Sequence, residues 1–89
     1  MKRGAVLDKA KQCVTADRAA EHGDMEDNFA VIASYWSIHL GHKVEPVDVG
    51  IMMALLKAAR AKSNPYHEDN YIDGAGYFAC SAECVDVSD

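Results

Sequence analysis

No stretch of this sequence stays apolar for the roughly 20 residues that a membrane-spanning helix needs, so no membrane association is expected. The beginning, MKRGAVLDKAKQ, is basic but has no sustained apolar segment behind it, so no signal peptide is expected either. Basic residues are few: 9 Lys and Arg stand against 14 Asp and Glu, a formal charge of −5. That argues against broad nucleic-acid binding, which needs a basic footprint, but leaves room for a small cationic pocket. Cysteine is scarce and odd in number, Cys13, Cys80 and Cys84, with no framework spacing. Free thiols in a reducing cytoplasm are the expectation. Cys80 and Cys84 have no His beside them and read as small apolar packing residues. Also missing are a Gly-rich phosphate loop, a CxxC pair, HExxH and GxSxG, so nucleophilic catalysis has no obvious cast.

What is present fits one small all-α domain over residues 1–89. The spacing of apolar residues and the breakers predict four helices, near 3–20, 25–40, 46–62 and 68–85, in a bundle. Leu7, Ala10 and Val14, with Cys13, form the stripe of the first, and Gly23 stops it. Asp24 is the expected N-cap of the second, whose stripe is Phe29, Ile32, Ala33, Trp36 and Leu40. Gly41 ends that helix, and Pro46 fits the first turn of the third. In the third, Ile51, Met52, Leu55, Leu56 and Ala59 are expected to bury one side. Val49 and Met53 extend the apolar surface nearly all round, making this the central helix. Gly50 is read as the site of a close helix crossing. Ile72, Ala75, Tyr77, Phe78, Ala79, Ala82 and Val85 supply the fourth helix. A core this small makes a dimer or larger homo-oligomer the expectation, with residues of the second or third helix in the seam.

Chemistry concentrates in Asp48–Tyr77. Lys57 and Arg60 are three residues apart on the third helix, and Asp69 and Asp73 four apart on the fourth. Each pair shares one helix face. The short Pro-containing connection SNPYHE makes the two helices antiparallel neighbours, so two cations and two carboxylates are expected to face one groove. Arg can grip phosphate in a two-point fork, and Lys adds a compact charge. The alternative is a solvated edge suited to the helix C-terminus. The two carboxylates can share a divalent cation with retained waters, or they can neutralise the two cations as a structural network. Tyr66 and Tyr71 flank the loop and are candidates for stacking on a base; Trp36 reads as core. A second polar cluster, Arg18, His22, Asp24 and Asn28, lies at the corner between the first two helices. Capping explains part of it, and the Asn28 amide is placed to read a base edge or to satisfy a neighbouring backbone group.

The patterns DRxxxHGDxxxNF, DVxxMMxLLKxAR and DNxxDxAGY, over Asp17 to Tyr77, resemble a family of small bacteriophage and prophage proteins of unassigned function. That family is distantly similar to the MazG-like all-α nucleoside-triphosphate pyrophosphohydrolases. The resemblance implies a helical, oligomeric protein in the cytoplasm of a bacterial host, and a magnesium-dependent relative. Asp69 and Asp73 answer to one acidic pair of that family, with a spacing one residue longer. Where the other acidic pair is expected stand Lys57 and Arg60, a charge reversal. Two-metal chemistry needs several carboxylates. The expectation is therefore binding of a nucleotide or cyclic nucleotide, as sequestration of a host-defence signal, by Arg18, His22, Asn28, Lys57, Arg60, Tyr66 and Tyr71. The alternatives are a pyrophosphohydrolase holding Mg2+ through Asp24, Asp69 and Asp73, and a helical module that engages a host protein.

Overall fold

Short polar or proline-containing breaks separate the helical stretches, and each break has a local cause. The computed structural model describes residues 1–17 and 25–85. Among them are four α-helices and no strand: α1 Arg3–Gln12, α2 Met25–Leu40, α3 Pro46–Ser63 and α4 Glu68–Cys84. A π-helical stretch, Cys13–Asp17, continues α1. The first helix is thus α-helical over a shorter span than expected, and the expected stop at Gly23 and N-cap at Asp24 lie outside the described residues. Gly41 ends α2 with a φ of +69°, the left-handed value that Gly adopts without penalty. The Gly41 and His42 N–H groups both donate to the Ser37 carbonyl. The Ser37 hydroxyl also accepts the Val44 N–H at 2.7 Å, which tucks the buried Val44 under α2. Pro46 opens α3, where its missing N–H costs nothing. Asp48 accepts the Glu45 N–H at 2.9 Å, and the pair forms a reciprocal capping box.

α3 and α4 form the antiparallel hairpin on which the rest is assembled. Contacts run in opposite directions along the two: Ser81 donates to the Val47 carbonyl at 2.9 Å, and Lys57 reaches Asp73 at 3.1 Å. Small residues set the closeness. A Cβ on Gly50 would lie 1.9 Å from Ser81 Oγ and 2.7 Å from the Tyr77 carbonyl oxygen. That is the close crossing expected at Gly50. On the other side of α4, a Cβ on Gly76 would meet Val14 at 3.1 Å, so α1 and its π extension approach there. α2 packs against α3 and contributes Phe29 and Ala33 to a core completed by Val44, Val49 and Cys80, with Trp36 and Ile32 half-buried against it.

The core is smaller than the stripes imply. The α3 side expected to be buried, Ile51, Met52, Leu55, Leu56 and Ala59, is exposed. The side that packs is Val49, Gly50, Met53, Ala54 and Lys57, because small residues there let α4 come close. Leu7, Leu40, Phe78, Ala79, Ala82 and Val85 are likewise exposed rather than buried. Of the expected apolar positions in α4, Ile72 is buried, and Ala75 and Tyr77 are half-buried. Among the described residues no helix is long and apolar enough to cross a membrane.

Candidate functional site

The last turns of α3, the loop after it and the first turns of α4 enclose an open cleft of about 490 Å³. Lys57, Arg60, Asp69 and Asp73 all line it, together with Ala59, Ser63, Asn64, His67 and Asn70. The helix periods put them there. Lys57 and Arg60 are one turn apart near the end of α3, and Asp69 and Asp73 one turn apart at the start of α4. The antiparallel hairpin then brings the two pairs together.

The four charges are not equivalent. The Lys57 side chain retains 15% of its exposure, and its ammonium sits 3.1 Å from Asp73 Oδ2. A lysine whose side chain is so largely covered gains from such a partner. Its Cβ also packs 3.5 Å from the position a side chain on Gly74 would take, so α4 closes over its stem. Arg60 is exposed and forms no ion pair among the described residues. It lines the cleft, and its guanidinium carries five N–H donors. Asp69 is exposed, with His67 Nε2 3.9 Å from its Oδ2. The cleft therefore offers a neutralised inner pair and an outer guanidinium beside a carboxylate and an imidazole. The start of α4 adds the positive end of a helix dipole.

A second opening, of about 420 Å³, lies on the other flank of α4. It shares Asp69 and Asp73 with the first and adds Lys9, Gln12, Cys13 and Glu68. Lys9 bonds Glu68 across it. That hydrogen bond, then the charge attraction, holds Glu68 below the usual carboxylate range and Lys9 above the usual lysine range.

Of the remaining predicted residues, those that are described do not line this cleft. Tyr71 is away from the cleft: its hydroxyl donates to the Pro65 carbonyl at 2.8 Å, and it lines an apolar depression with Met1, Arg3, Val6 and Leu7. It ties the loop to α4. Tyr66 is on the loop, almost fully exposed, and does not line the cleft. Asn28 is half-buried in the first turn of α2. Arg18, His22 and Asp24 lie outside the described residues. Among the described residues no three His, Cys, Asp or Glu side chains converge as a metal site would require. Sequence reasoning passed over Ser63, Asn64, His67 and Asn70, reading them as loop and helix start. The signal that finds them is their place between the two charged pairs in a hairpin with a four-residue connection.

A family described as a domain of unknown function, DUF6378, matches residues 5–85. The chain is 39% identical to the Gene 55 protein of Mycobacterium phage L5 over 74 residues, which is 82% of this chain and 47% of that protein. It is 34% identical to the Gene 55 protein of Mycobacterium phage D29 over 76 residues, 85% of this chain and 50% of that protein. The expected kinship with bacteriophage proteins of unassigned function is thereby found. The chain spans about half the length of the curated relatives it matches. No solved structure matches it significantly.

Proposed function

The chain belongs to the DUF6378 family, and within it we propose that the α3–α4 cleft binds a phosphate-bearing nucleotide without turning it over. The observation that carries this reading is Arg60: an exposed residue with no ion pair among the described residues, lining a cleft of nucleotide size. Arg60 would take a phosphate in its fork, and His67 and the helix start would add to the attraction. Asn64, Asn70 and Ser63 supply neutral donors and acceptors for a sugar or base. Lys57, committed to Asp73, would hold the wall in place. In a phage-infected cell such a protein would act in the cytoplasm by sequestering a nucleotide signal of host defence, cyclic or linear.

The second reading follows the expectation, drawn from the sequence motifs, of a distant resemblance to MazG-like pyrophosphohydrolases. Asp69 and Asp73 line the same cleft, and Mg2+ held there would polarise a phosphate chain. The engagement of Asp73 with Lys57 weighs against it, since a metal would compete with that ammonium.

A thermal-shift screen of nucleotides with and without magnesium tests both. A ligand at 100 times its dissociation constant stabilises by about 2.7 kcal/mol. Arg60→Ala should leave the fold intact and weaken nucleotide binding roughly tenfold to a hundredfold, since hydrogen bonds to charged groups contribute about 1.5–3 kcal/mol. Arg60→Lys should recover part of that. Unchanged affinity in folded Arg60→Ala refutes the phosphate assignment. Magnesium-dependent release of pyrophosphate, abolished by Asp73→Asn, would replace it with the second reading.

A further inference from the structure

We propose that the outer face of α3 is the seam on which a second copy of this chain docks, the two α3 helices lying antiparallel about Leu55. Ile51, Met52, Leu55, Leu56 and Ala59 recur three and four apart and form one stripe, turned away from the side that packs on α4. All five are exposed, Leu55 by 64%. A single chain in water rarely leaves so continuous an apolar stripe uncovered.

The spacing along the stripe names the occupant. Asp48, Ile51, Leu55, Ala59 and Lys62 follow one another in steps of three, four, four and three. That order reads the same in both directions from Leu55. In an antiparallel pair with its two-fold axis at Leu55, Ile51 faces Ala59 of the second copy, a large side chain against a small one. Asp48 faces Lys62 of the second copy, and the contact occurs twice. Asp48 Oδ2 accepts the Glu45 N–H, and Oδ1 is left to take the ammonium. Lys62 is exposed and has no ion pair among the described residues. A parallel pair would set Asp48 against Asp48 and Lys62 against Lys62, like charge on like. An unrelated helix as occupant would require no such symmetry.

Ala59 belongs both to the stripe and to the wall of the cleft. The second copy would therefore bring its Ile51 to the cleft rim and narrow an opening that a single chain leaves wide. The docking itself rests on the exposed face and its spacing, and is independent of what the cleft binds.

Sedimentation equilibrium at micromolar concentration should return twice the single-chain mass of 9.7 kDa. Leu55→Asp, which sets two carboxylates against each other at the axis, should return the single-chain mass with an unchanged helical circular-dichroism spectrum. Should that variant lose its helices, cross-linking decides. Leu55→Cys should form a 55–55 disulfide between copies under mild oxidation, located by mass spectrometry. Ile51→Cys and Ala59→Cys chains, mixed, should form the 51–59 cross-link in preference to 51–51. A monomeric wild type, a folded Leu55→Asp that keeps the doubled mass, the lack of a 55–55 link, or a dominant 51–51 link each overturns the proposal.

Discussion

The same two helices meet twice, and the two meetings are opposites. Where α3 begins and α4 ends, Gly50 lies under Ser81 and the Tyr77 carbonyl with no room for a methyl group, and Val49 is fully buried. Where α3 ends and α4 begins, the same pair opens into a polar cleft with Lys57 and Asp73 on its wall. The difference is one of side-chain size and polarity. Glycine and serine let backbones approach until hydrogen bonds and dispersion hold them, whereas lysine, arginine and aspartate are too long or too polar to close the gap and line a cleft open to solvent. One end of the hairpin is therefore suited to rigidity and the other to a ligand.

The sharpest way to break this contrast is to put bulk into the closed end. Gly50→Ala should destabilise by about 2 kcal/mol in spite of the better helix propensity of Ala, because one neighbour is backbone and cannot turn aside. The melting temperature should fall by roughly 8–16 °C. A thermal melt within a degree or two of wild type would show that the crossing is looser than drawn. Ser81→Ala removes the bond to the Val47 carbonyl at that end and should cost less, about 1 kcal/mol in a denaturant titration.

At the open end the two members of the ion pair should differ. Asp73→Ala removes the ion-pair partner of a lysine whose side chain is largely covered and should cost about 1–3 kcal/mol. Lys57→Met keeps the packed stem and leaves a carboxylate that water can reach, so its cost should stay below about 1 kcal/mol. Equal losses in urea titrations would mean that Lys57 is better hydrated than its burial indicates.

The smallest effect concerns Lys9 and Glu68, which cross the second opening. The folded-state pKa of Glu68 is lowered, so its contribution is present above the unfolded carboxylate value and fades as pH falls through the lower folded one. That of Lys9 is raised, so its contribution is present below the unfolded lysine value and fades as pH rises through the higher folded one. Both groups are exposed, so Lys9→Met should change the pH profile of stability only at its acid and alkaline edges and should be screened by salt. A change centred near neutral pH would point to a different partner.

Local signals were read directly from the chain where one residue settles a local geometry. Gly41 takes the left-handed position, Pro46 opens a helix, and Gly50 admits a close neighbour. The cleft was also legible in outline, since Lys57, Arg60, Asp69 and Asp73 sit at fixed turns beside a short connection. The α3 stripe was not. Its apolar residues were expected to face inward, and the inward side is the one built from Gly50, Ala54 and the stem of Lys57. Periodicity identifies an apolar face without saying which body covers it. Tyr71 was misplaced for a similar reason: sequence proximity to the loop could not reveal that its hydroxyl is spent on Pro65.

By itself, then, the sequence determined the helical segments in outline, their boundaries at Gly41 and Pro46 and the residue types available at the end of one hairpin, because those depend on near neighbours along the chain. Only the tertiary structure decided which apolar face packs, which cation is paired and which is free. Those outcomes depend on how closely two helices come together, and that distance is set by the smallest side chains at the crossing rather than by the most hydrophobic ones.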